Sequence, residues 1–197
     1  MKKKILARFF SYIFHPVLFF LIMPFFIVYK ETASGLYAIK WMIFSSVFIL
    51  FGVMIILFET IEGDFSDFDI SKKGERFKFY IILAVLGLVY FSLSLFFKGI
   101  FFPLSLISLS ILLGIIVFAF VNRFVKASIH TAVIFAFVIS MSLMYGVTAF
   151  LLSFWMIPLV AWARIYEKKH TAWEVLLGGF LGSIITLITF SVGKAIL

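Results

Sequence analysis

The chain contains no cysteine, and only four of its 197 residues are proline. The lack of cysteine excludes disulfide bridges, thiolate metal sites and a cysteine nucleophile. Charge is also scarce, since charged residues make up 13% of the chain, whereas a soluble domain carries roughly 25%. With so little charge, the composition is that of a protein built for a lipid environment.

Apolar residues make up 64% of the chain, and its mean hydropathy is +1.23. A membrane-spanning helix needs about 20 apolar residues, and charge-free runs of that order cover 9–29, 41–58, 79–97, 99–122, 127–163 and 175–193. The run 127–163 holds two short crossings that turn near Tyr145 and Gly146. The sequence therefore predicts an all-α fold, a polytopic membrane bundle of six to seven helices in one domain, 1–197.

Seven crossings would place the N-terminus and the segments 59–78, 123–130 and 164–174 on one membrane face, which we call the mouth. Thirteen lysines and arginines fall on that side, against Lys30, Lys40, Lys98 and Lys194 on the other. Without the site candidates Arg76, Lys126 and Arg164, ten cationic residues remain on the mouth side against four on the other. The positive-inside rule then predicts that the mouth faces the cytoplasm, in a bacterial or archaeal cell membrane. The net charge of +8 is better explained by anionic headgroups than by nucleic acid.

Arg164, His170 and Glu174 stand in the spacing R-x5-H-x3-E at the start of the last apolar run. Glu174 follows His170 by one helical turn, so its carboxylate can accept the Nδ1–H of the ring. That contact would fix the tautomer and leave Nε2 as a nucleophile. Thr171 and Glu174 also form a capping-box pattern, which explains Glu174 as part of a helix start. The two roles can coexist.

Lys126, Ser128 and His130 stand in the spacing K-x-S-x-H before another apolar run. A helix that begins at Ser128 would present unpaired N–H groups, which attract anions. Lys126 adds a positive charge, and His130 can protonate a leaving oxygen. The alternative is an interfacial histidine bonded to a backbone carbonyl, with Lys126 extended towards headgroups.

The segment 59–78 is rich in charges of both signs. Arg76 can act there as a fork for phosphate oxygens. Asp64, Asp67 and Asp69 can hold Mg²⁺, but we expect a solvated loop whose charges neutralise each other. His15, which precedes Pro16, is expected to satisfy a local backbone group and is left out of the site.

These residues resemble the type-2 phosphatidic acid phosphatase family, integral membrane lipid phosphatases with the blocks K-x6-R-P, P-S-G-H-T and S-R-x5-H-x3-D. The third block is matched by Arg164, His170, Glu174, Val175 and Gly178. The second is matched by Ser128, His130 and Thr131, and the first by Arg76 alone. The chain departs from the blocks at Asp69, Phe77, Ala127, Ile129 and Ala163, and Glu174 stands where the third block has aspartate. The resemblance covers about residues 60–180.

The resemblance implies a phosphatase core that removes phosphate from a lipid without metal or cofactor. In this mechanism His170 forms a phosphohistidine, Glu174 orients it, and His130 acts as proton donor and then as base. Phosphate oxygens would be held by Arg164, Arg76 and Ser128, with Lys126 or Lys73 in place of the missing first-block lysine. The expected substrates are phosphatidic acid, phosphatidylglycerophosphate or an isoprenyl diphosphate. Alternatives are a non-catalytic lipid-binding scaffold on the same fold and a Mg²⁺-dependent membrane transferase.

Overall fold

The computed structural model of the protein describes residues 2–96 and 101–196, with side chains for 2–93 and 108–193. The described chain is 84% helical and contains no strand, which confirms the predicted all-α class. Its α-helices are α1 (Lys2–Ile13), α2 (Pro16–Thr32), α3 (Gly35–Ile61), α4 (Arg76–Phe96), α5 (Phe101–Val121), α6 (Ile129–Tyr145), α7 (Val147–Phe154), α8 (Met156–Tyr166) and α9 (Ala172–Ile196), and a 3₁₀ turn covers Lys73–Glu75. Lys98 lies outside the described residues, as does the side chain of Lys194.

Five stretches of the described residues are long and apolar enough to cross a membrane: Lys2–Thr32, Gly35–Ile61, Lys73–Leu93, Val147–Tyr166 and Ala172–Gly193. Two shorter apolar helical stretches cover Ser108–Val121 and Ile129–Tyr145. The helices expose large apolar side chains along whole faces, as α3 does with Ile43, Val47, Phe51 and Met54. Such faces are a liability in water and are normal against lipid. The helices thus fit a membrane protein, and the seven crossings stay a prediction.

Proline and glycine account for three of the breaks between helices. Pro16 begins α2, a position where its missing N–H costs nothing. Gly146 separates α6 from α7 with a φ of +80°, as the sequence predicts for this turn. The sequence analysis did not predict the break at Trp155 between α7 and α8. Pro158 explains it, because a proline ring clashes with the carbonyl four residues earlier, which is that of Phe154.

The chain divides into two compact units, Met1–Phe20 with Val125–Leu197 (the first unit) and Leu21–Phe124 (the second unit). In the second unit, α3 and α4 run antiparallel and are joined by a hydrogen bond of 2.9 Å between Ser45 Oγ and Tyr90 OH. Near the other end of this pair, Phe65 packs with Ile56 and Ile70 in a buried cluster. Helix α5 packs against α4. The loop before α4 is therefore anchored by its own apolar core.

In the first unit, α6 and α9 lie side by side and run parallel. The main-chain N–H of Ser128 donates to the Glu174 carbonyl at 3.0 Å, and Thr131 Oγ1 donates to the Val175 carbonyl at 3.0 Å. A Cβ on Gly178 would lie 2.3 Å from the Ser128 carbonyl oxygen. The close pairing places the first turns of both helices next to each other.

Gly182 tests this close approach, because a Cβ there would lie 2.2 Å from the Ala132 carbonyl oxygen. We expect Gly182→Ala to lower the free energy of unfolding by about 1–3 kcal/mol, since neither backbone can yield easily. Gly35→Ala is the matched control, because Gly35 stands in the first turn of α3 with open space around it. It should be neutral or stabilising by up to about 1 kcal/mol. Unfolding of both variants in detergent micelles measures the difference, and a Gly182→Ala protein as stable as wild type would contradict the packing.

Candidate functional site

The connection between α8 and α9 folds into a Schellman turn, a common way to end a helix. Lys168 adopts the left-handed conformation, with a φ of +55°. Its N–H donates to the Ile165 carbonyl at 3.0 Å, and the N–H groups of Lys169 and His170 both donate to the Arg164 carbonyl. The Arg164 side chain is buried. The turn places His170 just before the start of α9.

The imidazole of His170 is held at one nitrogen by two oxygen atoms. Nδ1 lies 3.1 Å from Glu174 Oε2 and 3.2 Å from the Lys126 carbonyl oxygen. A carbonyl and a carboxylate can only accept, so Nδ1 carries the proton and Nε2 carries the lone pair. The ring is buried. The contact between His170 and Glu174 is the one that their spacing predicts.

Glu174 also completes the predicted capping box. Its Oε2 accepts from the main-chain N–H of Thr171 at 3.1 Å, and its own N–H donates to Thr171 Oγ1 at 3.3 Å. One carboxylate oxygen therefore serves both the helix start and the histidine. The two roles that the sequence left as alternatives are present together.

The loop before α6 is tied to the loop before α9. Lys126 Nζ donates to the Lys169 carbonyl at 2.9 Å, while the Lys126 carbonyl faces His170. Ser128 caps α6 by accepting from the Thr131 N–H at 3.4 Å. His130 follows in the first turn of α6 and is buried. Two of the three segments predicted at the mouth are thus brought together within the first unit.

A cleft of about 410 Å³ opens at this junction, lined by Lys126, Ile165, Lys168, Lys169, His170, Thr171 and Glu174. Three lysines and one carboxylate give the lining an excess of positive charge. Cationic donors of this kind, fixed beside a histidine, are suited to a phosphate group. Lys168 and Lys169 were not among the predicted site residues, because in the sequence they appear as an ordinary polar connection.

Arg76 belongs to the second unit, where it is buried. Its Nε donates to the Ile70 carbonyl at 3.2 Å, and its Nη1 donates to Asn122 Oδ1 at 3.4 Å. Asn122 in turn donates to the Lys73 carbonyl at 3.3 Å. The guanidinium therefore joins the loop before α4 to the end of α5. Its predicted role in holding phosphate stays a prediction.

The acidic loop before α4 pairs its charges internally, as expected. Lys78 bonds both Glu59 and Asp64, and its hydrogen bond and charge hold the pKa of the Asp64 carboxyl below its usual value. Asp67 Oδ1 accepts from the N–H and the hydroxyl of Ser71. Asp64 and Asp67 therefore have structural partners within the loop, and the Mg²⁺-dependent transferase stays an alternative.

His15 satisfies a local backbone group, as predicted, because its Nδ1 accepts from the Val17 N–H at 3.3 Å. It also does something that the sequence does not indicate. Its ring packs against that of His130, with the centroids 5.0 Å apart and the planes at 89°. No local signal marks this contact, since the two residues are far apart in the chain.

Comparisons of the chain with protein-family models, curated proteins and solved structures find no match. The chemistry of the site is therefore inferred from the contacts of its own residues and from the sequence blocks that they resemble.

The tautomer of His170 can be tested directly. We expect the neutral ring of His170 to carry its proton on Nδ1, because both neighbours of that atom are acceptors. Nitrogen-15 NMR of histidine-labelled protein in detergent checks this. The chain has three histidines, so the spectrum of His170→Asn assigns the signal. A proton found on Nε2 would contradict the geometry.

The structural role of Arg76 can be tested by substitution. Arg76→Ala removes the donor to the Ile70 carbonyl and to Asn122 Oδ1, so the free energy of unfolding should fall by about 1–3 kcal/mol. The control is Lys73→Ala. The ammonium group of Lys73 is exposed and bonds the carbonyls of Arg123 and Phe124, so its removal should change the free energy of unfolding by no more than about 0.5 kcal/mol. Denaturation in micelles measures both. Equal stability of Arg76→Ala and wild type would show that the guanidinium holds nothing in the fold.

Proposed function

We propose that the protein is a membrane phosphatase that hydrolyses a phosphomonoester or diphosphate on a membrane lipid, without a metal, through a phosphohistidine. The proposal rests chiefly on His170. Its Nδ1 is held by Glu174 and by the Lys126 carbonyl, so Nε2 keeps its lone pair, and the residue lines a cationic cleft. An oriented base with a fixed tautomer is the arrangement that nucleophilic catalysis requires.

In the first step, the Nε2 lone pair of His170 attacks the terminal phosphorus, and the bond from phosphorus to the leaving oxygen breaks. His130, as the imidazolium, gives its proton to that oxygen. A monoester then releases the lipid alcohol, and a diphosphate releases the lipid monophosphate. The His170 ring becomes positively charged, and the Glu174 carboxylate at Nδ1 stabilises that charge. The phosphate is then bound to Nε2.

In the second step, His130 has become neutral and takes a proton from water. The resulting hydroxide attacks phosphorus, the bond to Nε2 breaks, and inorganic phosphate leaves. His170 and His130 return to their starting states, so the cycle consumes one water. The residue that acts as acid in one step acts as base in the next.

The negative charge of the phosphate needs fixed positive partners, because charge stabilisation is usually the largest catalytic contribution. Lys126, Lys168 and Lys169 line the cleft, and Ser128 opens a helix start whose N–H groups favour anions. Arg164 is a further phosphate-binding residue that the resemblance implies, and the same role for Arg76 stays a prediction from the resemblance alone. The lysines of the cleft suit a doubly charged phosphate better than a neutral ligand.

Exposed apolar side chains beside the cleft favour a lipid over a soluble phosphate ester. Ile165 and Tyr166 end α8, and Trp173 and Leu176 lie in the first turns of α9, all exposed. An acyl or isoprenyl chain can lie along such a surface while its phosphate enters the cleft. The proposal therefore covers phosphatidic acid, phosphatidylglycerophosphate and isoprenyl diphosphates. It includes the predicted seven crossings and a cytoplasmic mouth in a bacterial or archaeal cell membrane.

The test is phosphate release by purified protein in detergent, with EDTA present, across those three lipids. We expect wild type to release phosphate and to be inhibited by vanadate. His170→Asn should lose turnover by a factor on the order of 10³ or more. Asparagine is the matched replacement, because its amide can still donate to Glu174 and the Lys126 carbonyl while the nucleophile is gone. A radiolabelled lipid phosphate should leave an acid-labile label on wild type and none on His170→Asn.

Two results would contradict the proposal. Release that appears only when Mg²⁺ is added would indicate a metal-dependent enzyme. Binding of the lipids with no release from any of them would indicate a lipid-binding protein on the same scaffold.

A further inference from the structure

His15 lies between α1 and α2 and acts as the N-cap of α2. Pro16 occupies the first helical position, and the N–H of Val17 donates to His15 Nδ1 at 3.3 Å. An acceptor nitrogen carries the lone pair, so in the neutral ring the proton sits on Nε2. The capping bond also fixes the direction of the ring, since one edge is tied to the main chain.

The fixed ring of His15 packs on His130. The ring centroids are 5.0 Å apart and the planes are nearly perpendicular, at 89°. Edge-to-face packing of this kind restricts rotation of both rings. His130 is itself buried, so few orientations remain open to it. A second aromatic contact between Phe19 and Phe137, with centroids 4.8 Å apart, holds the next turns of α2 and α6 together.

We propose that His15 is a positioning residue for His130 in the phosphatase reaction. The inference rests on the proposed function, in which His130 transfers protons to the leaving oxygen and from water. Proton transfer needs the donor nitrogen within hydrogen-bond reach of the oxygen. The capped His15 ring holds the His130 ring in the orientation that meets this need, so α1, α2 and α6 together build the acid–base half of the site.

Two variants of His15 separate its two tasks. His15→Asn keeps the cap, because asparagine is among the best N-cap residues, but removes the ring that faces His130. His15→Phe keeps an aromatic ring against His130 but removes the cap, which costs about 1 kcal/mol. If His15 positions His130, the more stable of the two variants should be the less active one.

We expect His15→Asn to unfold like wild type and to lose kcat on lipid phosphate on the order of 10- to 100-fold, with KM little changed. His15→Phe should be less stable and yet keep more of kcat than His15→Asn. In single-turnover assays, the loss in the rate of leaving-group release in His15→Asn should be much smaller with p-nitrophenyl phosphate, because nitrophenolate departs without a proton. The attack of water in the second step needs His130 with either substrate, so the comparison is made on the first step. A residue that serves only the fold would change turnover in step with stability and would change leaving-group release equally for both substrates.

His170→Asn, assayed alongside, separates failure of this inference from failure of the proposed function. If wild type releases phosphate, His170→Asn does not, and His15→Asn matches wild type in kcat, the role of His15 is overturned and the phosphatase stands. If wild type releases no phosphate, both are overturned.

Discussion

The close parallel contact between α6 and α9 is the constraint on which the first unit depends. In lipid there is little hydrophobic force between helices, so small residues and interhelical hydrogen bonds must hold them together. Here Gly178 and Gly182 let the backbones approach, and Thr131 bonds across to the Val175 carbonyl. Because the helices are parallel, both first turns come to the same end. His170, Glu174 and Ser128 meet for that reason.

The two units use their positive charges differently. In the second unit, Arg76 donates to the Ile70 carbonyl and to the Asn122 amide oxygen, and Lys78 pairs with Glu59 and Asp64. In the first unit, Lys168 and Lys169 line an open cleft in which Glu174 is the one carboxylate. An excess of positive charge in a cleft attracts anionic ligands.

Much of this arrangement was predictable from local patterns. Apolar runs predicted the helices, and Gly146 marked a turn. The spacing of Thr171 and Glu174 predicted the capping box, and the spacing of His170 and Glu174 predicted the ring contact. These features depend on residues within one helical turn or one run. The pairing of Arg76 with Asn122 and of His15 with His130 depends on how distant helices pack, which no local pattern contains. The break at Trp155 was readable from Pro158, four residues after Phe154, and was overlooked.

Main-chain atoms carry much of the framework around His170. The Lys126 carbonyl holds its Nδ1, the Arg164 carbonyl accepts from its N–H, and the N–H of Ser128 bonds the carbonyl of Glu174. Every residue type supplies a carbonyl, and every type except proline supplies an N–H. The path of the main chain around His170 therefore does not by itself require particular residue types. What constrains Lys126, Ser128, Arg164 and Glu174 is the work of their side chains, such as the two bonds that the Glu174 carboxylate makes.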